Sequence, residues 1–288
     1  MDELGYEVPD YHHASSSCAS VGENGNNDDI EGLVNFMRGR DYFDYDGDCI
    51  VTEVRDHVMG DIYHSQLIEV GPPDASLDFT NTNEEAYYRS INGYQKFMAA
   101  HASRKNIIYA GSNSGILHAI NAKTGKEEWG FIPPFIGALL PQIVNKGYDG
   151  KIDQTTVDGK TTGSGGTNPI FGVDGSPVVH DVLIEGWDPT GAEQGKAWRT
   201  LLFVPYGRGG AGFSVLDVTH PLVKSNKGPI HMFSVFNDQI NKRILVADKD
   251  GNIESRPYNS GFSSYLKSEE GLVASDNQTT ARDADPDD

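Results

Sequence analysis

Along most of the chain, apolar residues come in short runs separated by Gly, Asn, Asp and Pro, the pattern of many strands joined by tight turns. The runs are DIYHSQLIEVG, NIIYAGS, ILHAINA, EEWGFIP, SPVVHDVLIEG, WRTLLFVPYG, FSVLDVT, HMFSVFN and RILVADKDGNI. In ILHAINA, Leu117 and Ala119 alternate with Ile116 and Ile120, which puts apolar groups on both faces and predicts a strand covered on both sides. Two stretches instead follow helical spacing. In DDIEGLVNFMRG the stripe is Ile30, Leu33, Val34 and Met37, with Asp28 or Asp29 available to cap the first turn. In NEEAYYRSINGYQKFMAAH it is Tyr87, Ile91, Tyr94 and Met98, interrupted by Gly93, which weakens a helix interior by about 1 kcal/mol relative to Ala.

The strand pattern repeats. One unit, NIIYAGSNSGILHAINAKTGKEEWGFIPP, reads as strand, SNSG turn, strand, KTGK turn and a strand carrying Trp129, a residue expected to pack between sheets. A second runs from SPVVHDVLIEG through WRTLLFVPYGRGGAG and FSVLDVTHP to HMFSVFN, and RILVADKDGNIESRPY reads as a third, partial unit. Strands about ten residues apart in sets of four predict an all-β fold, a β-propeller of four-stranded blades with one or two N-terminal helices. Propellers close with about four to eight blades, and fewer than four are legible, so the expectation is an incomplete or shortened ring. The expected organisation is a linker over residues 1–27, the propeller with its helical and acidic-loop part over 28–267, and an acidic disordered tail over 268–288.

Charge narrows the partners. With 42 acidic against 23 basic residues the formal net charge is -19, a field that repels nucleic acid and acidic membrane surfaces. Nothing approaches the roughly 20 apolar residues of a membrane span; the best run, FIPPFIGALLPQIV, is short and broken by prolines. The stretch DELGYEVPDYHH after Met1 has neither a basic start nor an apolar run, and no secretion signal is expected within it. Two cysteines, Cys18 and Cys49, are too few for a disulfide framework, though one bridge between them stays open in an oxidising compartment.

The turn and strand pattern GSNSGILHAINAKTGKEEW resembles the blade repeat of pyrroloquinoline-quinone propellers. The ordered series GDIYHSQLIEVGPP, IIYAGSNSGILHAINAKTG, FGVDGSPVVHDV, WRTLLFVPYGRGGAGFSVLDVTHP and LVADKDGNI is more specific and resembles the C-terminal propeller of the PilY/PilC family of type IV pilus proteins. That resemblance spans roughly residues 35–254. It implies a non-enzymatic protein of the cell surface, pilus tip or outer membrane that supports pilus biogenesis and adhesion, modulated by calcium. Its implied partners are pilins or minor pilins and a host or surface receptor. The chain departs from the family after HMFSVFN, where members insert a further blade, and at Glu254, where they carry an aromatic. The alternatives are a quinone-dependent dehydrogenase, which shares the blade repeat, and a propeller scaffold for outer-membrane assembly.

Candidate chemistry concentrates in DYFDYDGDCIVTEVRD. Asp44, Asp46 and Asp48 alternate as the first ligands of a calcium loop do, because a hard cation needs several oxygens converging on one point. Cys49 stands where the usual loop has Gly and Arg55 where it has its bidentate Glu, so Glu53 or Asp56 would complete the shell, with Ile50 or Thr52 adding an oxygen. The second acidic run, DKDGNIE, reads as hairpin chemistry, and the preceding FNDQINKR, where the family has its own calcium loop, lacks Asp-rich spacing. Neither DGKTTG, with Gln154 in place of the first glycine of a phosphate loop, nor YGRGGAG, which runs into a strand, predicts a nucleotide site. His64, His118 and His180 each sit in a predicted strand and read as hydrogen-bonded packing residues; His12, His13 and Cys18 form a weak metal set.

Overall fold

The structure, a computed structural model, describes residues 27–40, 50, 53–55, 58–80, 82–140, 143, 154–157, 160–163, 170–185, 195–223 and 228–258. Asp44, Asp46, Asp48, both cysteines, His12, His13 and the segments expected as linker and tail lie outside these residues, apart from Asn27.

The first sheet is a four-stranded antiparallel meander of β1 (Ile68–Val70), β2 (Ile107–Gly111), β3 (Leu117–Asn121) and β4 (Glu127–Phe131). This is the blade that the repeat predicts. The β2–β3 turn is closed by Gly115 at φ 83°, a left-handed conformation costly for a residue with a Cβ. As the alternation of β3 requires, Leu117, His118 and Ala119 are all buried.

The second sheet is larger than predicted. β7 (Val178–Glu185), β8 (Lys196–Pro205), β9 (Gly212–Asp217), β10 (Ile230–Asp238), β11 (Arg243–Asp248) and β12 (Ile253–Pro257) follow one another in a six-stranded meander. The stretch expected to begin a third blade is therefore a hairpin that extends the second. The short connection after β10 explains this: Asp238 to Arg243 leaves room for a tight turn, with Lys242 at φ 52°, but not for a crossover. In the sequence between the two sheets, a two-stranded hairpin joins β5 (Gln154–Val157) to β6 (Lys160–Gly163), so the Lys160–Thr161 pair opens a strand and not the helix of a phosphate loop.

The two sheets share a core. Val70, Ile107, Tyr109, Leu117 and Ala119 from the first meet Leu202, Val204 and Leu216 from the second, with Val218 beside them and Val173 between. Fully burying a side chain of this kind contributes about 1.5–3 kcal/mol. Trp129 packs against this cluster, as expected, and its Nε1–H donates to the Pro221 carbonyl at 2.7 Å, tying β4 to the far side. The loop over 170–177 threads between the sheets: the Val173 N–H donates to the Ser112 carbonyl at 3.0 Å and the Asp174 N–H to the Tyr206 carbonyl at 3.1 Å. Gly111 lies so close beneath it that a Cβ there would stand 2.3 Å from the Val173 carbonyl oxygen.

Both predicted helical stretches form, with different faces buried. In α1 (Asn27–Met37), Leu33 and Met37 are buried as expected, but Val34 is exposed and Phe36 takes its place against Ile116, Leu140 and Ile143. The second stretch divides at Gly93, φ 73°, into α2 (Glu84–Ile91) and α3 (Tyr94–Ala100). That break rotates the stripe. Ala86, Tyr94 and Phe97 are buried, whereas Tyr87 and Ile91 face outward.

Candidate functional site

An open concavity lies where α2 meets β7. Asn83 starts the helix by accepting the Ala86 N–H on its side-chain oxygen at 3.1 Å, and Glu84 and Glu85 occupy the first turn, where the helix dipole favours carboxylates. The groove between helix and strand has a volume of about 730 Å³. Tyr87, Tyr88 and Ile91 form its helix side, Trp198 lies within it, and the consecutive β7 residues His180, Asp181, Val182 and Leu183 form the opposite wall. Successive strand residues point to opposite faces, so a wall of four in a row is the edge of the strand.

A buried polar network holds that wall. Asp181 accepts from the Tyr94 hydroxyl on one oxygen and from the Thr200 hydroxyl on the other at 2.6 Å. Arg104 donates to Thr200 Oγ1 and to the Gly71 carbonyl, both at 2.7 Å. Burial, reinforced by the Asp181 carboxylate, holds the Tyr94 phenol above its ordinary range, so it stays a donor. Trp198 donates its Nε1–H to the Asn92 carbonyl at 2.9 Å and meets Tyr94 edge-on at 4.9 Å and Tyr88 at 6.2 Å. Behind the network, burial and the neighbouring His220, Arg104 and Arg199 push His101 down to about 4.

His118 behaves as the sequence predicts; His64 lies exposed in a bend ahead of β1 and not in a strand, though it is hydrogen-bonded. His64 Nδ1 lies 2.7 Å from Asp174 Oδ2, a carboxylate only 2% exposed, and this pair anchors the inter-sheet loop. His118 bonds on both nitrogens, to Ser112 Oγ at 3.0 Å and to Glu127 Oε1 at 2.7 Å. That row has the order of a nucleophilic triad, yet the Ser112 hydroxyl is buried and also bonded to Ser114 Oγ and the Ile116 carbonyl, so it braces the β2–β3 turn. His180, by contrast, stands exposed on the groove wall.

Of the expected carboxylate ligands, only Glu53 is described; its backbone N–H donates at 3.3 Å to the carbonyl of Ile50, the other described candidate donor. Arg55, which holds the place of a bidentate ligand, lays its guanidinium 3.8 Å from the centre of the Phe36 ring and donates to the Phe36 carbonyl at 3.0 Å. Among the described residues no three His, Cys, Asp or Glu side chains converge on a point. The DKDGNIE run forms a hairpin, as its composition predicts: Asp248 accepts the Asp250 and Asn252 N–H groups and the Asn252 amide, each at 2.9 Å. Both of its oxygens are thereby engaged.

The groove itself went unread in the sequence. Asp181 inside VVHDVLIE was the available signal, since a carboxylate in an apolar strand requires a buried partner, but its partners lie 19 and 87 residues away.

Among the described residues no helix is long and apolar enough to cross a membrane. The family model described as the PilY1 beta-propeller domain matches residues 59–246. The chain is 32% identical over 188 residues to the type IV pilus biogenesis factor PilY1 of Pseudomonas aeruginosa strain UCBPP-PA14, covering 65% of this chain and 13% of that protein. It is 32% identical over 168 residues to the PilY1 homolog of Xylella fastidiosa, covering 58% of this chain and 11% of that protein. A solved structure of the P. aeruginosa PilY1 C-terminal domain is similar at 20% identity and a TM-score of 0.35, over 67% of this chain and 37% of that one. With the matched span running from just ahead of β1 into β11, the chain belongs to the PilY1 β-propeller domain family.

Proposed function

We propose that this chain is the propeller part of a type IV pilus biogenesis factor, acting at the cell surface without catalysis of its own. The supporting observation is the family match over 59–246, which takes in both sheets up to β11. In this reading the fold is a rigid support, and recognition of minor pilins and of a surface receptor falls to its loops and edges. Deleting the coding region for 59–246 from the native gene tests it. The expected result is loss of sheared surface pili and of attachment, restored by the intact gene; normal piliation in the deletion strain would overturn the reading.

Calcium belongs to the same reading, bound at Asp44, Asp46, Asp48 and Glu53. The alternating carboxylates supply the hard oxygen donors the ion requires, and Arg55 is engaged with Phe36. Bound calcium would draw these carboxylates together and so close the segment between α1 and β1 into one loop. The Asp46→Ala, Asp48→Ala double variant is expected to lose any rise in melting temperature that millimolar calcium gives the native chain. An equal rise in both would remove the site.

A further inference from the structure

The six-stranded sheet ends in two edges of opposite character. At β12, IESRP, four of the five residues are exposed, Arg256 forks onto Glu254 with two bonds of 2.9 Å, and a proline closes the strand. Charge and proline are how sheets prevent edge pairing. At β7, VVHDVLIE, the edge is eight residues long, carries no proline and no lysine, and includes five aliphatic residues. Its backbone pairs with β8 on one side; among the described residues no backbone hydrogen bond reaches the other side.

That free side is the wall of the α2 groove. The groove offers apolar surface in Tyr88, Ile91, Leu183 and Trp198, while its accessible charge is negative. Both Asp181 oxygens are engaged and the Arg89 side chain is 13% exposed, held by Glu85 and the Ser76 carbonyl. Glu84 remains at the mouth, and Glu85, although paired with Arg89 at 3.2 Å, keeps its side chain 71% exposed there. The chain as a whole carries -19, which opposes a second copy approaching this face.

We propose that the β7 edge is a strand-addition site for an extended segment of a partner protein in which apolar residues alternate with lysine or arginine. Its main chain pairs with β7 as a seventh strand. The apolar side chains then lie against Tyr88, Trp198 and Leu183, and the basic ones meet Glu84 and Glu85 at the mouth. This goes beyond the pilus reading and does not depend on it, because it follows from the edge and the groove.

The test uses the full chain and a capped octapeptide of alternating valine and lysine, read by fluorescence polarisation and by amide hydrogen exchange. Binding is expected, with slowed exchange at residues 180–183. Replacing the peptide's lysines by glutamates should weaken affinity roughly tenfold or more, since like charges then meet at the mouth. Methylating every peptide nitrogen should abolish binding. The Glu84→Gln, Glu85→Gln pair, on an exposed helix turn, and Tyr88→Ala should each weaken it by about tenfold, a typical loss for an interface anchor. Absent binding, equal binding of the methylated peptide, or unchanged exchange at 180–183 would overturn the proposal. So would protein dimers that protect β7 without peptide, which would make a second copy the occupant.

Discussion

The β7 and β12 edges belong to one sheet yet are held in place differently. β7 is supported from behind by Trp198, Tyr94, Asp181, Thr200 and Arg104, a layer of aromatic and charge-assisted contacts reaching into α2, α3 and the segment before β2. β12 is supported by its ladder to β11, by Ile253 packed against the buried cluster of Leu245 and Ala247, and by the Glu254–Arg256 ion pair in water. An edge that must stay apolar and available needs a rigid support, because among the described residues its outer side has no backbone pairing to hold it. An edge guarded by charge can rest mainly on its neighbour.

Substitutions can break this contrast in graded steps. Trp198→Ala should be the most damaging, about 3–5 kcal/mol by urea unfolding, because it empties the packing of Tyr94, Phe97 and Leu183 and leaves the Asn92 carbonyl without its donor. A loss under 1 kcal/mol would show that the layer does not support β7. Next, Tyr94→Phe removes one hydroxyl and leaves an Asp181 oxygen without a donor, a cost of about 2 kcal/mol on the same scale. Phe keeps the ring contacts, so the difference between the two variants separates packing from hydrogen bonding.

A pH series sharpens the comparison further. His101 has a folded value of about 4, below its ordinary 6.5, so the unfolded chain binds the extra proton between those values. Stability tied to His101 is therefore complete above 6.5 and falls as pH drops from 6.5 toward 4. The melting temperature of the native chain should decline more steeply over that window than that of His101→Gln, and parallel curves would refute the assignment. The smallest effect belongs to the other edge. Glu254→Gln breaks a fully solvated ion pair and should leave the urea midpoint unchanged within error.

The strands of the two meanders and the four-stranded unit were legible because each strand is bounded by its own turn residues, as SNSG and KTGK bound β3. Two features were not. Whether RILVADKDGNIESRPY starts a new sheet or extends an old one is set by the short connection before it, since the residues of the strand itself do not encode its edge partner. The buried faces of α1 and α2 depended on the single left-handed residue Gly93 and on which neighbour Phe36 met, both tertiary matters. The groove was hidden for the same reason: Tyr94, Asp181 and Thr200 are ordinary residues until the fold brings them together.

The loop over 170–177, seated above Gly111 and bonded to Ser112 on one side and Tyr206 on the other, has a consequence for how the chain folds. Each meander consists of neighbouring strands and can form early from local contacts, but the loop finds both its partners only when both turns already exist. Its docking is thus a late event that converts two separately forming sheets into one cooperative unit. Hydrogen exchange from β2 and β8 should accordingly report a single shared opening energy rather than two.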